Sequence, residues 1–247
     1  MKPQCIPKTL LANLTKIPTD CPVILMLRHS VRPDPLPPGE AGNQISITEV
    51  GKQLACNLGM VMGERLAALH VSPLLRCIQT AEAIKTGAQA KALMIAKDKL
   101  LGDPGIYVTD AKAAGPYWTS DKYHSTMRYL ADGKALPSPA GATPASDRPE
   151  GVTHEPYRQA HRLVQHMLHS TNTKRGVHCF ISHDSLIAIT INQILGREYD
   201  RREVPHYLEG FFLWETQTNG AQTASLLYRG LSSHGLRLLE ADDVLDH

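Results

Sequence analysis

Two histidines that each close an apolar run, and three arginines spaced around them, are the residues of this chain best suited to chemistry. Arg28-His29 follows the run at 23–27 (VILML), and His183 follows the run at 177–181 (VHCFI) through Ser182. Arg32 lies just beyond His29, and Arg76 lies just beyond a shorter run that ends at His70-Val71. A phosphate monoester is a compact anion, and planar guanidinium forks match its oxygens with paired hydrogen bonds while staying charged. A neutral imidazole can attack phosphorus and form a phosphohistidine, which divides hydrolysis into two easier steps. A second imidazole, when protonated, can hold the phosphoryl oxygens. A carboxylic acid must then protonate the leaving alkoxide, and the same carboxylate can activate water in the second step. His29 is therefore the candidate nucleophile, and Arg28, Arg32, Arg76 and His183 are the candidate phosphate ligands.

These side chains meet only if the elements bearing them end at one edge. The run at 23–27 is apolar at every position, as expected of a central strand covered on both faces. The segment RPDPLPPGEAG after it can neither extend that strand nor start a helix early. A helix is expected over 48–69, with Ser46 to Glu49 as a capping box. A short strand ending at His70-Val71, a Ser72-Pro73 turn, a helix over 74–86 and a strand over 92–96 follow. Later come a helix over 157–170, the strand at 177–181, and a helix over 185–195 that Gly196 stops. Two late strands are expected, over 211–215 and 224–228. Strands alternating with helices predict a three-layer α/β/α sandwich with a mostly parallel central sheet. Ligands of such sheets bind at the carboxyl ends of the strands, and three of these strands end near His29, Arg76 and His183.

The 247 residues fit a single domain. Within it, 104–156 reads as an insertion or lid, rich in Gly, Pro, Ser and Thr, with one short helix near 121–130. Tyr107, Tyr117, Trp118, Tyr123 and Tyr129 collect there and could stack on a substrate ring. Apolar residues make up 42% and charged residues 20%, with a net charge of +2. That balance supplies a core and argues against nucleic acid or an anionic membrane as partner. Cys5, Cys21, Cys56, Cys77 and Cys179 are scattered without a CxxC pair, so separate reduced thiols are expected. No signal peptide and no membrane-spanning run is legible, so a soluble cytoplasmic protein is expected.

LRHSVRP (27–33), SPLLRCIQTAEAI (72–84) and SHDS (182–185) resemble, in order, the three motifs of the histidine phosphatase superfamily. That superfamily includes cofactor-dependent phosphoglycerate mutases, broad phosphatases, acid phosphatases and phytases. The resemblance implies a phosphoglycerate mutase-like fold and a phosphohistidine on His29. It implies a phosphate pocket of Arg28, Arg32, Arg76 and His183, a structural Thr80, no metal and no cofactor. Ser30 departs from the pattern, since a glycine usually follows the nucleophile. The proton donor has two candidates. In the acid-phosphatase branch an Asp directly follows the second His, which here is Asp184. In the mutase-like branch a Glu follows a later strand, and Asp103 in LLGDPG is the nearest counterpart. Asp184 is favoured. Mutases resemble RHGxSxWN at the first motif, whereas this chain has Arg32-Pro33, so hydrolysis of a small phosphorylated substrate is expected over transfer between sugar acids.

Two other readings compete. A binding or regulatory protein of the same fold would keep the phosphate pocket without turnover. A metallohydrolase could draw on His161, His166 and His169, which share one expected helix, but no carboxylate completes a recognised zinc spacing there.

Overall fold

The structure, a computed structural model, describes residues 5–34, 44–119, 122–132, 149–218 and 220–238. Strand β1 (Pro22–Arg28) sits inside a seven-stranded sheet. Its side chains alternate, as the two-residue period of a strand requires. Val23, Leu25 and Leu27 join a core on one face, and Ile24 and Met26 join a core on the other. An unbroken apolar run is what this position demands.

The first face is covered by helices α1 (Lys8–Leu14), α2 (Glu49–Met62) and α3 (Leu75–Gly87). Helix α2 is shorter than the expected 48–69. Gly63 turns the chain at φ 51°, and the apolar residues beyond it form strand β2 (Leu66–Val71) instead. The expected capping box does not form either: Thr48 is the cap, its hydroxyl accepting from the Gly51 amide at 3.0 Å. Helices α2 and α3 touch through glycine, since a Cβ on Gly87 would lie 1.8 Å from the Cys56 carbonyl oxygen.

Strand β3 (Ile95–Lys97) lies slightly later than expected. Helices α4 (Ala111–Thr119) and α5 (Tyr123–Asp132) follow, then α6 (Pro156–Ser170), strand β4 (Gly176–Ser182) and helix α7 (Asp184–Leu195). Gly196 ends α7 in the left-handed conformation at φ 61°. Strands β5 (Gly210–Thr218), β6 (Ala221–Tyr228) and β7 (Leu231–Leu236) complete the sheet in the order β3-β2-β4-β1-β5-β6-β7.

The α/β sandwich matches the expected class, but its sheet is mixed. β3, β2, β4 and β1 run parallel, whereas β1 to β5, β5 to β6 and β6 to β7 pair antiparallel. Short connections account for the β5–β6 and β6–β7 pairings, because antiparallel neighbours need no long crossover. Arg229 and Gly230 both take positive φ, 49° and 86°, which is the two-residue turn that suits a hairpin.

The described part of 104–156 holds two helices, α4 and α5, where one was expected; residues 133–148 lie outside the described residues. Met127, Leu130 and Ala131 of α5 are buried in the core shared with α6 and α7. Tyr107 is a core residue rather than a wall for substrate, with its hydroxyl 2.9 Å from that of Thr190. Among the described residues, no helix is long and apolar enough to cross a membrane.

Candidate active site

Register brings the motif residues to one edge. In the β1–β4 pairing Arg28 lies opposite Ser182, and in the β2–β4 pairing Val71 lies opposite Ile181. The His29 amide donates to the Ser182 carbonyl at 2.9 Å, and the Ser72 amide donates to the Ile181 carbonyl at 3.0 Å. His29, Ser72 and His183 therefore leave the sheet together, at the carboxyl ends of adjacent parallel strands. Arg76 sits in the first turn of α3, and Asp184 opens α7. Both helices aim the positive end of their dipoles at this edge.

His29 is 3% exposed. Its Nδ1 lies 2.7 Å from the Ser30 carbonyl oxygen. A carbonyl only accepts, so Nδ1 carries the proton and Nε2 keeps its lone pair. Burial holds this imidazole well below the usual histidine range, and the neighbouring His183, Arg28 and Arg76 depress it further, against the opposing hydrogen bond to Ser30. The His183 ring meets it edge-on at 5.6 Å between centroids, and the Tyr207 ring lies at 5.7 Å.

His183 is also neutral. An Arg76 nitrogen lies 3.1 Å from its Nδ1, and since a guanidinium only donates, Nδ1 accepts. Its Nε2–H then donates to the Ser72 hydroxyl at 3.0 Å. Burial pushes His183 down to about 3, with Arg76, Arg28 and Arg32 adding to the effect. Gly102 makes room for the ring, because a Cβ there would lie 2.7 Å from the His183 Cδ2. Gly102 also has φ 135°, a conformation open to glycine and costly for other residues.

Arg28 is held on several sides. One terminal nitrogen donates to the Pro205 carbonyl at 2.6 Å, and the other pairs with Asp184 at 2.8 Å. The Tyr207 ring lies under its guanidinium carbon at 4.2 Å. Arg32 is half-buried and donates to the Pro33 carbonyl at 3.5 Å; its charge reaches His183 and Arg76. Of the two candidate acids, Asp184 is the one joined to a motif arginine. Asp103 is exposed, in the left-handed region at φ 69°, next to the glycine that backs His183.

Ser30 fits the tight first motif without displacing it. Its hydroxyl donates to the Gly51 carbonyl at 2.7 Å, and its amide donates to the Thr80 hydroxyl at 2.9 Å. Thr80 in turn donates to the Arg76 carbonyl at 2.7 Å, so it ties the first motif to the second rather than facing substrate. Ser72, Gly102 and Tyr207 are the site residues that sequence reasoning left unassigned. Ser72 and Gly102 stood inside segments already singled out, SPLLR and LLGDPG. Tyr207 had no signal at all.

The histidines of α6 do not gather. His161 is buried, His166 pairs with Asp98 at 2.7 Å, and the His169 ring bonds its own helix at the Gln165 carbonyl. Among the described residues, no group of three or more His, Cys, Asp or Glu is arranged to hold a metal ion.

Solved structures of histidine phosphatase superfamily members share this fold, a mixed sheet with helices on both faces, at low sequence identity. Phosphoserine phosphatase of Entamoeba histolytica, in complex with 3-phosphoglyceric acid, superimposes with a TM-score of 0.52 at 14% identity, covering 78% of this chain and 90% of its own. A structure described as mycobacterial hydrolase 2 gives 0.53 at 14% identity, covering 91% and 95%. YhfR of Bacillus stearothermophilus gives 0.51 at 17% identity, covering 86% and 98%. No family model matches the sequence, and no curated protein matches it either.

Proposed function

We propose that this protein hydrolyses a phosphate monoester through a phosphohistidine on His29. The observation that carries the reading is the state of His29. It is a buried neutral imidazole with Nδ1–H fixed on the Ser30 carbonyl, and Nε2 bears the free lone pair beside Arg28, Arg76 and His183. Histidine kept neutral and oriented is a nucleophile; histidine kept for structure alone has no use for a ring of guanidinium cations. The solved phosphoserine phosphatase was captured with 3-phosphoglyceric acid and, as a variant, with phosphoserine, which supports a small phosphorylated substrate here.

In the first step Nε2 attacks phosphorus, the bond from phosphorus to the alcohol oxygen breaks, and Asp184, protonated from solvent once Arg28 turns from it to the phosphoryl group, gives its proton to the departing oxygen. Arg28, Arg32 and Arg76 take up the equatorial oxygens, where charge accumulates. A dianion in the pocket opposes the field of the arginines at His183, which then takes a proton from solvent and donates to the phosphoryl group. In the second step Asp184 accepts a proton from water as its oxygen attacks phosphorus. The nitrogen–phosphorus bond breaks and inorganic phosphate leaves. No step calls for a metal or an organic cofactor.

One observation favours ligand binding without turnover: the Asp184 carboxylate is engaged by Arg28 at 2.8 Å. Hydrolysis of p-nitrophenyl phosphate by the wild type and by His29→Ala separates the two readings. Turnover that disappears with His29 supports the enzyme. Phosphate binding with no turnover in the wild type supports the binding protein. Turnover that survives His29→Ala removes the covalent route.

A further inference from the structure

We propose that Tyr207 is a positioning residue that acts through Arg28, fixing the plane in which that guanidinium meets an oxyanion. The inference rests on the phosphate-pocket reading of Arg28 and adds a residue to it.

Arg28 is gripped by one short loop. Its backbone amide donates to the Glu209 carbonyl at 2.9 Å, one terminal nitrogen donates to the Pro205 carbonyl at 2.6 Å, and its flat face lies on the Tyr207 ring at 4.2 Å. Asp184 holds the other terminal nitrogen. Two fixed ends leave a guanidinium free to rock about the line joining them, and a ring against its face stops that rocking. The Arg28 Nε–H is buried and makes no hydrogen bond among the described residues, a donor held without a protein acceptor. The same ring lies 5.7 Å from His29, so it reaches both the nucleophile and the donor beside it.

The loop is built to hold this ring still. Leu208 is fully buried at φ 54°, a strained conformation for a branched side chain that the surroundings must enforce. Glu209 closes the loop by accepting from the His206 amide at 2.7 Å and pairing with Arg229 at 2.7 Å. Arg229 stands in the β6–β7 turn and also donates to the Val204 carbonyl at 3.2 Å. The Tyr207 hydroxyl has no hydrogen-bond partner among the described residues, so the aromatic face is the working part.

Calorimetric binding of inorganic phosphate tests this without needing turnover. Tyr207→Leu should weaken phosphate binding by about five- to tenfold, the scale of a partly desolvated contact between a cation and a ring. Tyr207→Phe should stay within about twofold of wild type, because it keeps the face. In an Arg28→Ala background Tyr207→Leu should have no further effect. Tyr207→Met, of similar bulk, carries the same expectation should the leucine variant fail to fold. Wild-type affinity in the leucine or methionine variant overturns the proposal and leaves the pocket standing. So does a phenylalanine variant as weak as leucine, or an equal loss with Arg28 removed. A wild type that binds no phosphate overturns the pocket and this inference together.

Discussion

The Nδ1–H of His29 donates to the carbonyl of its own neighbour, Ser30, at 2.7 Å. One short bond thus decides which ring nitrogen is left to react. In the proposed mechanism Nε2 is the reactive atom, and the first motif keeps it available by holding the Ser30 carbonyl in place through Gly51 and Thr80.

That anchoring can be measured. Ser30→Ala removes the hydrogen bond to Gly51 and should cost about 1 kcal/mol of stability, with activity retained. Gly51→Ala should be worse, by about 1–3 kcal/mol, because its Cβ would sit 2.5 Å from the Val31 carbonyl oxygen. Denaturant titration of both variants checks the order.

The pH dependence of kcat/KM follows from the depressed imidazoles. His29 and His183 are both held below the usual 6.5, His183 down to about 3. The free enzyme should therefore keep its neutral nucleophile well into the acid range, and the acid limb of the profile should fall clearly below pH 6.5. A limb at 6.5 would mean an exposed histidine. The same shifts set stability. Below pH 6.5 the unfolded chain takes up protons on these histidines while the folded chain refuses them, so stability falls as pH drops from 6.5 toward 3.

His166 and Asp98 work the other way at the rim. Asp98 raises His166, so that contribution is complete below pH 6.5 and fades as the pH climbs through the raised value. The Asp98 pKa is lowered: burial raises it, but hydrogen bonds from His166 and the Leu100 amide more than offset this. Its contribution is present above 3.8 and is lost on acidification. The pair should stabilise most between about pH 4 and 6.5, by less than about 1 kcal/mol because His166 is partly exposed. Thermal melts of His166→Gln across that window test the sign.

The proton donor can be assigned by leaving group. Asp184→Asn should lower kcat on an alkyl phosphate by about a hundredfold or more. It should do much less to p-nitrophenyl phosphate, whose phenolate leaves unaided. Asp103→Asn should affect both substrates alike. The reverse pattern transfers the role to Asp103.

What could be read beforehand divides along physical lines. The parallel half of the sheet announced itself, because β1 and β4 are buried on both faces and are apolar at nearly every position, with His178 the buried exception inside β4. Helix α2 was overextended because LAALHV carries no periodicity that separates strand from helix, and Gly63 was passed over as a stop. The antiparallel half is less legible, although Asn219-Gly220 is a hairpin dipeptide in the sequence. Arg28, His29, Arg76 and His183 were legible because strand ends converge. Tyr207 was not, because it reaches Arg28 from a loop about 180 residues further along the chain, held there by Glu209 and Arg229.

The central claim stands or falls on a covalent bond to one nitrogen. Acid-labile, base-stable phosphate should be trapped when turnover of a monoester is quenched rapidly, and mass spectrometry should find it on the peptide containing His29. Phosphate carried by another residue, or a peptide that stays unmodified while hydrolysis proceeds, would contradict the account.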